Sequence, residues 1–552
     1  MRRIRFHELK GNAGERGNVM LLLALALPIM ILPLVGLAID GTVCYLVQAK
    51  LSAAVDGASL GAGRLLGTTA DPVEIAGEFL DANFRTGVTG FWGANTLVKS
   101  IVYTPGTTKT IAVDANVRVP LLFLRVIGKQ YALVSAAATA TRRDSRMVLV
   151  LDRSGSMSAD LTDAKNFAEG FTQKFTPGTD QVGLVAYDGA GVVGYPSVRP
   201  WVETTTALST GGPDTSFLST NGASCCDMVY QIKAIRTSSD KAFTNTADGL
   251  WLAYIELQKA HMKSLHDDGV DTRLNSIVLF TDGLPTAVSV DLNMAGADSL
   301  KTTAQGGTCT NRSNWTATTK MRGWVATTAP PINTGMANPD NGYWPRLLPA
   351  FAANTANYWL ASNTATALDY ALPSPTTPFA GCSNLPGSSS ANLTANMNDL
   401  AKIPATDMWG NAMNTTDYLD AEFVNEAGVV IANRIYDGTP LNRAKVSGTG
   451  AMYHWELALW NATYQAAKNI RNDSNLPNRP GDTQNMQIAI YVIGYTGNDG
   501  LDQGLLRAVA NDKSAVHYDA NQPTGMYVPA TNTTAMANAF TTVASAILRL
   551  KY

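Results

Sequence analysis

An uninterrupted apolar run near the N-terminus constrains this chain more than any other feature. The 21 residues 19–39 include no charged side chain, and as an α-helix they would extend about 31 Å, enough to cross a bilayer. The flank before the run is basic, with Arg2, Arg3, Arg5, Lys10 and Arg16. Over the forty residues after it only Lys50 and Arg64 are basic. The run therefore predicts a single inner-membrane span with residues 1–16 as a cytoplasmic leader and the bulk of the chain in a periplasm or outside the cell.

A cleaved secretory signal is the alternative, with Gly36-Leu37-Ala38 as its cleavage site. The apolar regions of such signals are usually ~7–15 residues long, however, and this run is longer. Apolar residues also continue past the span at helical spacing, at Val43, Val47, Leu51, Ala54, Ala58 and Leu65. This spacing favours one long helix over residues 17–70, part of which lies beyond the membrane.

The rest of the chain has two kinds of pattern. Strand-like runs at 97–104, 110–119 and 132–141 indicate a small β-rich unit over residues 71–143. From Met147 onward strands and helices alternate, which is typical of a doubly wound, mostly parallel α/β domain, here over residues 144–552. Its strands are predicted at 147–151, 181–187, 276–280 and 487–493, and its helices at 160–175, at 247–265 and along the stripe Met536, Phe540, Val543, Ile547 and Leu550. Residues 287–450 are polar but contain five tryptophans, and we expect them to form a large folded insertion.

Composition and motifs argue against two classes of function. With 42 Lys and Arg against 44 Asp and Glu, the chain lacks the basic bias of a nucleic-acid-binding protein. It contains no phosphate-binding glycine-rich loop followed by lysine. The five histidines form no metal-ligand motif, and we expect them at the surface: His7, His261, His266, His454 and His517. A binding protein is therefore favoured over an enzyme.

Small oxygen-bearing side chains follow the first buried strand of the α/β domain. Asp152, Ser154 and Ser156 alternate there, so in an extended turn they would share one side. Asp282 follows the strand predicted at 276–280, and strands of a parallel sheet present ligands at the same carboxyl edge. Carboxylates and hydroxyls are ligands suited to Mg²⁺, with Mn²⁺ or Ca²⁺ as alternatives. The alternative reading is that the aspartates only cap helices and stabilise turns.

These residues resemble the metal-ion-dependent adhesion site of von Willebrand factor A domains. The resemblance comprises Asp152-x-Ser154-x-Ser156, a threonine in the loop before a helix, and Thr-Asp-Gly at Asp282. It implies that Ser154, Ser156 and Thr244 contact the cation while Asp152 and Asp282 hold it largely through water. Thr246 is the second choice for the threonine. A partner protein's acidic side chain would then complete the coordination.

The order of segments along the chain is similar to that of TadG-like proteins of tight-adherence systems, which build Flp-type pili. The resemblance rests on Gly14-Glu15-Arg16-Gly17 before a long apolar helix, a small β unit and an A domain. Pilins processed after a glycine usually have Glu five residues beyond it, whereas this chain has Leu22. The resemblance implies a pilus or envelope protein as partner. A surface adhesin that binds a host or matrix ligand directly is the main alternative, and a metal-dependent hydrolase is a third.

Four cysteines lie in the part of the chain predicted to be exported, apart from Cys44 beside the membrane. An even number in an oxidising compartment favours disulfides among them: Cys225, Cys226, Cys309 and Cys382. Because adjacent cysteines bond each other only with strain, we expect Cys225 and Cys226 each to pair with Cys309 or Cys382. Free buried thiols are the alternative.

Overall fold

The fold is described from a computed structural model. The residues that the structure describes are 13–67, 70–86, 91–106, 108–189, 191–196, 213–218, 227–235, 243–293, 303–304, 307–309, 320–326, 382–383, 395–396, 401–407, 409–415, 423–424, 441–446, 451–473, 485–496 and 500–548. They form two compact units, which divide between Arg143 and Asp144. Each unit has its own hydrophobic core.

The first unit is built on one long helix, α1, which spans Ala13–Leu65. Its second half buries a stripe of small and branched apolar side chains against the rest of the unit: Val47, Leu51, Ala54, Val55, Ala58 and Ala62. The predicted continuation of the helix beyond the span is therefore confirmed. Leu65 is half-buried, and its neighbour Leu66 is buried in its place.

Among the described residues, α1 is the one helix long and apolar enough to cross a membrane. The part of it that meets this criterion is Leu34–Leu65, with a mean hydropathy of 1.4. From Asp40 onward, however, many of its side chains are committed to protein packing, because Asp40 itself, Val43 and Val47 are buried. The uncharged residues before Asp40 are therefore the stretch suited to lipid.

A helix and a three-stranded antiparallel sheet pack on the second half of α1. Helix α2 spans Pro72–Asn83, and its N-cap Asp71 accepts a hydrogen bond from the backbone N–H of Val73. The strands are β1 (Asn95–Thr104), β2 (Thr108–Pro120) and β3 (Tyr131–Arg143), in the order β1-β2-β3. In β2 every second side chain is buried, as expected for a strand with one face on the core. The three strand predictions are confirmed, whereas α2 was not predicted.

The second unit contains a six-stranded sheet with the order β17-β15-β7-β4-β5-β6. Five of its strands are parallel and the edge strand β6 is antiparallel to β5. The strands are β4 (Ser145–Asp152), β5 (Gln181–Tyr187), β6 (Gly191–Tyr195), β7 (Leu274–Thr281), β15 (Ala489–Tyr495) and β17 (Met526–Ala530). All eight residues of β4 are buried, because neighbouring strands and helices cover both its edges and both its faces. The doubly wound α/β prediction is confirmed.

Among the described residues of the second unit, six helices contribute to its core. They are α3 (Leu161–Thr172), α4 (Met228–Ala234), α5 (Thr246–Asp268), α6 (Ala451–Arg471), α7 (Gln503–Ala510) and α8 (Thr533–Ile547). In α8 the predicted stripe is buried at Met536, Phe540, Val543 and Ile547, with Phe540 stacked on Phe280 of β7. Leu550 lies outside the described residues. Helix α6 was not predicted.

The region predicted as an insertion, residues 287–450, contributes short strands and part of the core. Its described strands are β8 (Ala287–Asn293), β9 (Thr303–Ala304), β10 (Gly307–Cys309), β11 (Lys320–Ala326), β12 (Cys382–Ser383), β13 (Ala395–Asn396) and β14 (Phe423–Val424), the last paired with β16 (Leu501–Asp502). Ile403, Met413 and Val446 are buried in the main hydrophobic cluster. These segments are thus integrated into the unit's core.

Candidate metal centre at the carboxyl edge of the sheet

The ends of two adjacent parallel strands bring the candidate residues together. Strand β4 ends at Asp152 and β7 at Thr281, and the strands are in register with Leu151 opposite Phe280. The Thr281 hydroxyl donates a 2.7 Å hydrogen bond to Asp152 Oδ2. Asp282, the next residue, is also fully buried at this edge. Both predicted carboxylates therefore lie at the same edge of the sheet, whereas their role as metal ligands stays a prediction.

The turn after β4 arranges its side chains through its own backbone. Asp152 Oδ1 accepts a hydrogen bond of 2.8 Å from the backbone N–H of Ser154. The hydroxyls of Ser154 and Ser156 are 3.0 Å apart, and Ser156 donates to Asp282 Oδ1 at 2.9 Å. Ser154 is buried, whereas Ser156 is half-buried. Oxygen atoms from both loops thus form one connected cluster that begins in the interior and reaches the surface.

Thr244 approaches the same cluster from the loop before α5. A Cβ placed on Gly283 would lie 3.4 Å from Thr244 Oγ1 and 3.6 Å from Ser156 Oγ. The absence of a side chain at Gly283 therefore leaves space between these two hydroxyls. The Thr244 backbone is fixed by Thr286, whose hydroxyl accepts from Thr244 N at 2.9 Å and whose N–H donates to Thr244 O at 2.9 Å.

Thr246, the second candidate, has a different role. Its hydroxyl is hydrogen-bonded to Tyr187, and the Tyr187 hydroxyl donates to Asp152 Oδ2 at 3.2 Å. Thr246 therefore supports Asp152 indirectly. The sequence reasoning did not identify Tyr187, although its position contains the signal: it ends β5, directly opposite Asp152 in the β4–β5 register.

Burial controls the protonation of this cluster. It raises the pKa of Asp152, although hydrogen bonds from Ser154, Thr281 and Tyr187 oppose the shift. Burial and the nearby Asp152 charge also raise the pKa of Tyr187 well above its usual value. Burial disfavours the ionised form of Asp152 because it removes water from the carboxylate. A cation at the edge would favour the ionised form, because its positive charge would stabilise the carboxylate in place of water.

Further charged side chains surround the cluster of Asp152, Ser154, Ser156 and Asp282. Burial together with Asp160, to which its hydroxyl is hydrogen-bonded, raises the pKa of Tyr495 to about 12, and Asp282 contributes to the shift. Behind the turn, the buried side chains of Arg153 and Asp188 form an ion pair at 2.5 Å.

The donor set fits a hard divalent cation. It contains two carboxylates and three hydroxyls, all oxygen ligands of the kind that Mg²⁺ prefers. Across the described part of the chain, no group of three or more His, Cys, Asp or Glu side chains is arranged to hold a metal. A site at this edge would therefore depend on hydroxyl oxygens as well as on carboxylates.

Part of the predicted insertion reaches the start of α5. The Trp409 indole N–H donates to Asp248 Oδ1 at 2.7 Å, and its ring stacks on Trp251 with centroids 6.1 Å apart. Asp248 Oδ2 accepts from the backbone N–H of Gly191 at 2.6 Å. Asp248 lies one helical turn beyond Thr244, so the insertion supports the framework of the candidate site. Sequence patterns did not indicate this contact.

Two of the four cysteines predicted to form disulfides lie among the described residues. Strands β10 and β12 are antiparallel, and their register places Cys309 opposite Cys382. Cys225 and Cys226 lie outside the described residues. The expected pairing of Cys225 and Cys226 with these two cysteines stays a prediction, and the register favours a Cys309–Cys382 pair instead.

Two of the histidine predictions are wrong, because His261 and His454 are not at the surface. His261 is buried, and its Nδ1 lies 2.7 Å from Asp271 Oδ2. Asp271 is itself buried against Arg146 at the opposite end of the sheet. His454 is also buried. Polar partners inside the fold make these positions compatible with burial.

Comparisons with known proteins match two parts of the chain. Residues 147–304 match the von Willebrand factor type A domain family. Residues 17–65 match a family described as putative Flp pilus-assembly TadE/G-like. No curated protein sequence matched the chain significantly.

Several solved structures show a loose likeness. The pilus adhesin SpaC from Lactobacillus rhamnosus GG is 14% identical over 84% of this chain, with a TM-score of 0.29, and the match covers 36% of SpaC. The PilB minor pilin from Streptococcus sanguinis is 12% identical over 84% of this chain and 80% of its own, with a TM-score of 0.31. The vWF domain of the type V pili tip protein Mfa5 from Porphyromonas gingivalis is 16% identical over 74% of this chain and 95% of its own, with a TM-score of 0.30. TM-scores of this size establish no function.

Each family match coincides with a part of the structure already described. The match over 147–304 begins in β4 and includes Asp152, Thr244 and Asp282. The match over 17–65 lies within α1. The chain therefore contains an α/β region that matches the von Willebrand factor type A domain family, preceded by a helical segment that matches the putative Flp pilus-assembly TadE/G-like family.

Proposed function

We propose that the carboxyl edge of the sheet is a metal-ion-dependent adhesion site through which the protein binds a partner. Ser154, Ser156 and Thr244 would contact Mg²⁺, or Mn²⁺ or Ca²⁺ in its place. Asp152 and Asp282 would hold the cation largely through water. The bound cation would supply a positive charge for an acidic side chain of the partner, and the role of the site is binding rather than catalysis.

The observation that carries this proposal is the hydrogen-bonded chain from Ser154 through Ser156 to Asp282, beside Asp152. It joins oxygen ligands from two loops with separations of 3.0 and 2.9 Å. Helix capping alone would not connect these two loops through their side chains. The half-exposed position of Ser156 would let a partner's carboxylate approach.

The TadE/G-like match supports a place in a pilus system. We propose that residues 19–39 anchor the chain once in the inner membrane, with the N-terminus in the cytoplasm and the A domain on the periplasmic side. The partner would be a pilus or envelope protein that offers an acidic residue. Nothing in this role requires nucleic acid.

Cation binding is tested by titrating Mg²⁺ and Mn²⁺ into the full chain in detergent micelles, with calorimetric detection. We expect binding that Asp152→Ala abolishes and that the matched control Asp268→Ala leaves unchanged. Asp268 is an exposed aspartate at the far end of α5. Equal binding by the parent and by Asp152→Ala would contradict the site.

The partner is tested by crosslinking in cells that carry the pilus system, with and without a chelator. We expect crosslinks from the parent to a pilus or envelope protein, and their loss with Asp282→Ala or with chelation. Fractionation tests the location in parallel. Recovery of the chain at the cell surface rather than in the inner membrane would favour a direct adhesin.

A further inference from the structure

The connection between β2 and β3, residues 121–130, exposes apolar side chains next to the end of the apolar span. We call it the apolar loop. Leu122 is 64% exposed, Phe123 39% and Val126 90%. The loop contains one turn of 3₁₀ helix, Leu124–Ile127, and ends it at Gly128 with φ 85°. Several large apolar side chains exposed together on a short loop indicate an interaction surface.

The apolar loop is attached to α1 through Asp40. The Asp40 carboxylate is 2% exposed, and it accepts backbone hydrogen bonds from Leu122 at 2.8 Å, Phe123 at 3.0 Å and Leu124 at 2.8 Å. Phe123 also covers Gly36, where a Cβ would lie 2.4 Å from Phe123 Cβ. The loop is thus fixed beside residues 36–40 of the helix, and a side chain at Gly36 would displace it.

This attachment lies where the apolar span ends. Asp40 is the first charged residue after Arg16. The helix residues just before it expose apolar side chains of their own: Leu34, Val35, Leu37 and Ile39. The exposed surface of the loop and the surface of the span therefore meet at the same level of α1. A surface that continues from a membrane-spanning segment is suited to lipid.

The charges around the loop agree with a lipid surface. No acidic residue occurs between Asp114 and Asp144. Arg125 and Lys129 are exposed within the loop, and Arg118 lies over the ring of Tyr131 at 4.8 Å. Basic and aromatic groups beside apolar ones are typical of segments at the headgroup level, where cations meet phosphates and apolar side chains reach the acyl chains.

We propose that the apolar loop inserts into the membrane leaflet on the Asp40 side of the span. Leu122, Phe123 and Val126 would enter the boundary between headgroups and acyl chains, and Arg125 and Lys129 would contact lipid phosphates. The first unit would then hold the membrane at two points, the helix and the loop. The inference rests on the membrane anchoring proposed above and is independent of the metal site.

The test uses the full chain in nanodiscs that contain anionic phosphatidylglycerol. Cys44→Ser removes the half-buried thiol of α1, and one further cysteine is then introduced by Val126→Cys, Val102→Cys or Ala24→Cys for labelling with an environment-sensitive fluorophore. Label taken up by the four other cysteines of the chain is measured on the Cys44→Ser parent and subtracted. Val102 is the matched control: it is an exposed valine opposite Ala112, about 30 Å of strand from the loop. The label at residue 24 reports whether the span lies in the bilayer. The Cys44→Ser parent gives the background fluorescence without an introduced cysteine.

We expect the label at residue 126 to shift to shorter wavelength. We also expect lipids carrying a quencher near the headgroup to quench it at least about threefold more than the label at residue 102. Equal quenching at 126 and 102, with strong quenching of residue 24 by a deep quencher, would overturn the loop insertion while the anchor stands. No quenching at residue 24 would overturn the anchor and the loop insertion together. Disulfide crosslinking between two copies of the unlabelled Val126→Cys variant, without lipid quenching of the labelled one, would overturn it in favour of a dimer surface.

Discussion

The Ser156 hydroxyl donates a 2.9 Å hydrogen bond to Asp282 Oδ1, and the two residues are 126 positions apart in the sequence. The bond joins the turn after β4 to the turn after β7, the two neighbouring strands at the centre of the sheet. Because a hydroxyl can point its oxygen lone pairs at a cation while it donates its proton to a carboxylate, this pair suits a metal site that uses both residues.

Ser156→Ala removes one of the hydroxyls proposed to contact the cation. We expect the Mg²⁺ dissociation constant to rise at least about tenfold, which corresponds to about 1.4 kcal/mol. The matched control is Ser158→Ala, which changes an exposed serine of the same turn and should leave affinity unchanged. Calorimetric titration measures both. Similar affinities for the two variants would remove Ser156 from the proposed ligands.

Gly283→Ala adds a methyl group without removing any proposed ligand. The methyl carbon would lie 3.4 Å from Thr244 Oγ1 and 3.6 Å from Ser156 Oγ, which is ordinary contact distance. We therefore expect the fold to tolerate it, while a cation between these hydroxyls would be displaced and bind about tenfold more weakly. Gly170→Ala, where nothing lies within 4 Å, is the control. Unchanged Mg²⁺ affinity in Gly283→Ala would place the cation elsewhere.

Asp271→Asn leaves the buried guanidinium of Arg146 without its carboxylate partner. Burial alone would raise the pKa of Asp271, but hydrogen bonding to His261 and the charge of Arg146 lower it to about 2. This group stabilises the fold above its unfolded pKa, and the contribution is lost as the pH falls through about 2. We expect the variant to lose about 3–5 kcal/mol of unfolding free energy at neutral pH.

The comparison for Asp271→Asn is Asp267→Asn, which changes an exposed ion pair with Lys263 on the same helix. An exposed pair of this kind contributes about 0.3–0.5 kcal/mol. Chemical denaturation followed by tryptophan fluorescence measures both variants. A loss as small in Asp271→Asn as in Asp267→Asn would show that the buried ion pair contributes little.

Asp407 makes stability depend on pH. Burial raises its pKa to about 7, against hydrogen bonds from the Asn411 side chain and from the backbone N–H groups of Asn411 and Trp409. Because the folded state holds this proton more tightly than the unfolded state, its contribution to stability is lost as the pH rises through about 7. We expect the thermal midpoint to fall by on the order of several degrees as the pH rises from about 4 to about 7.

Asp407→Asn should reduce this dependence, because an amide does not ionise. The exposed Asp268→Asn should retain the slope of the parent. Thermal unfolding of the full chain at a series of pH values measures the three slopes. Equal slopes for the parent and Asp407→Asn would assign the pH dependence to other groups.

Disulfide mapping tests the cysteine predictions. Residues opposite each other in antiparallel strands have Cα atoms about 4.5–5.5 Å apart, within the range that a disulfide spans. The register of β10 and β12 places Cys309 and Cys382 in this relationship. We therefore expect a peptide that links Cys309 to Cys382 after non-reducing digestion of the protein purified from cells. Links from Cys225 or Cys226 to either of them would support the pairing expected from the sequence.

Local patterns in the sequence determined much of this protein. Residues 19–39 are uncharged, burial alternates along β2, and residues 147–151 of β4 are continuously apolar. Each of these patterns depends on neighbours within a few positions. The motif from Asp152 to Ser156 lies within one turn, and Asp282 directly follows a strand. Their convergence could be predicted, because parallel strands end at a common edge.

Only the tertiary structure decided which distant groups support these residues. Tyr187 reaches Asp152 through the β4–β5 register. His261 is buried because Asp271 pairs with it, and Trp409 reaches Asp248 from 161 positions away. Asp40 holds the apolar loop from 82 positions away. The free energies of these contacts depend on packing and burial of the whole fold, and no local periodicity encodes that information.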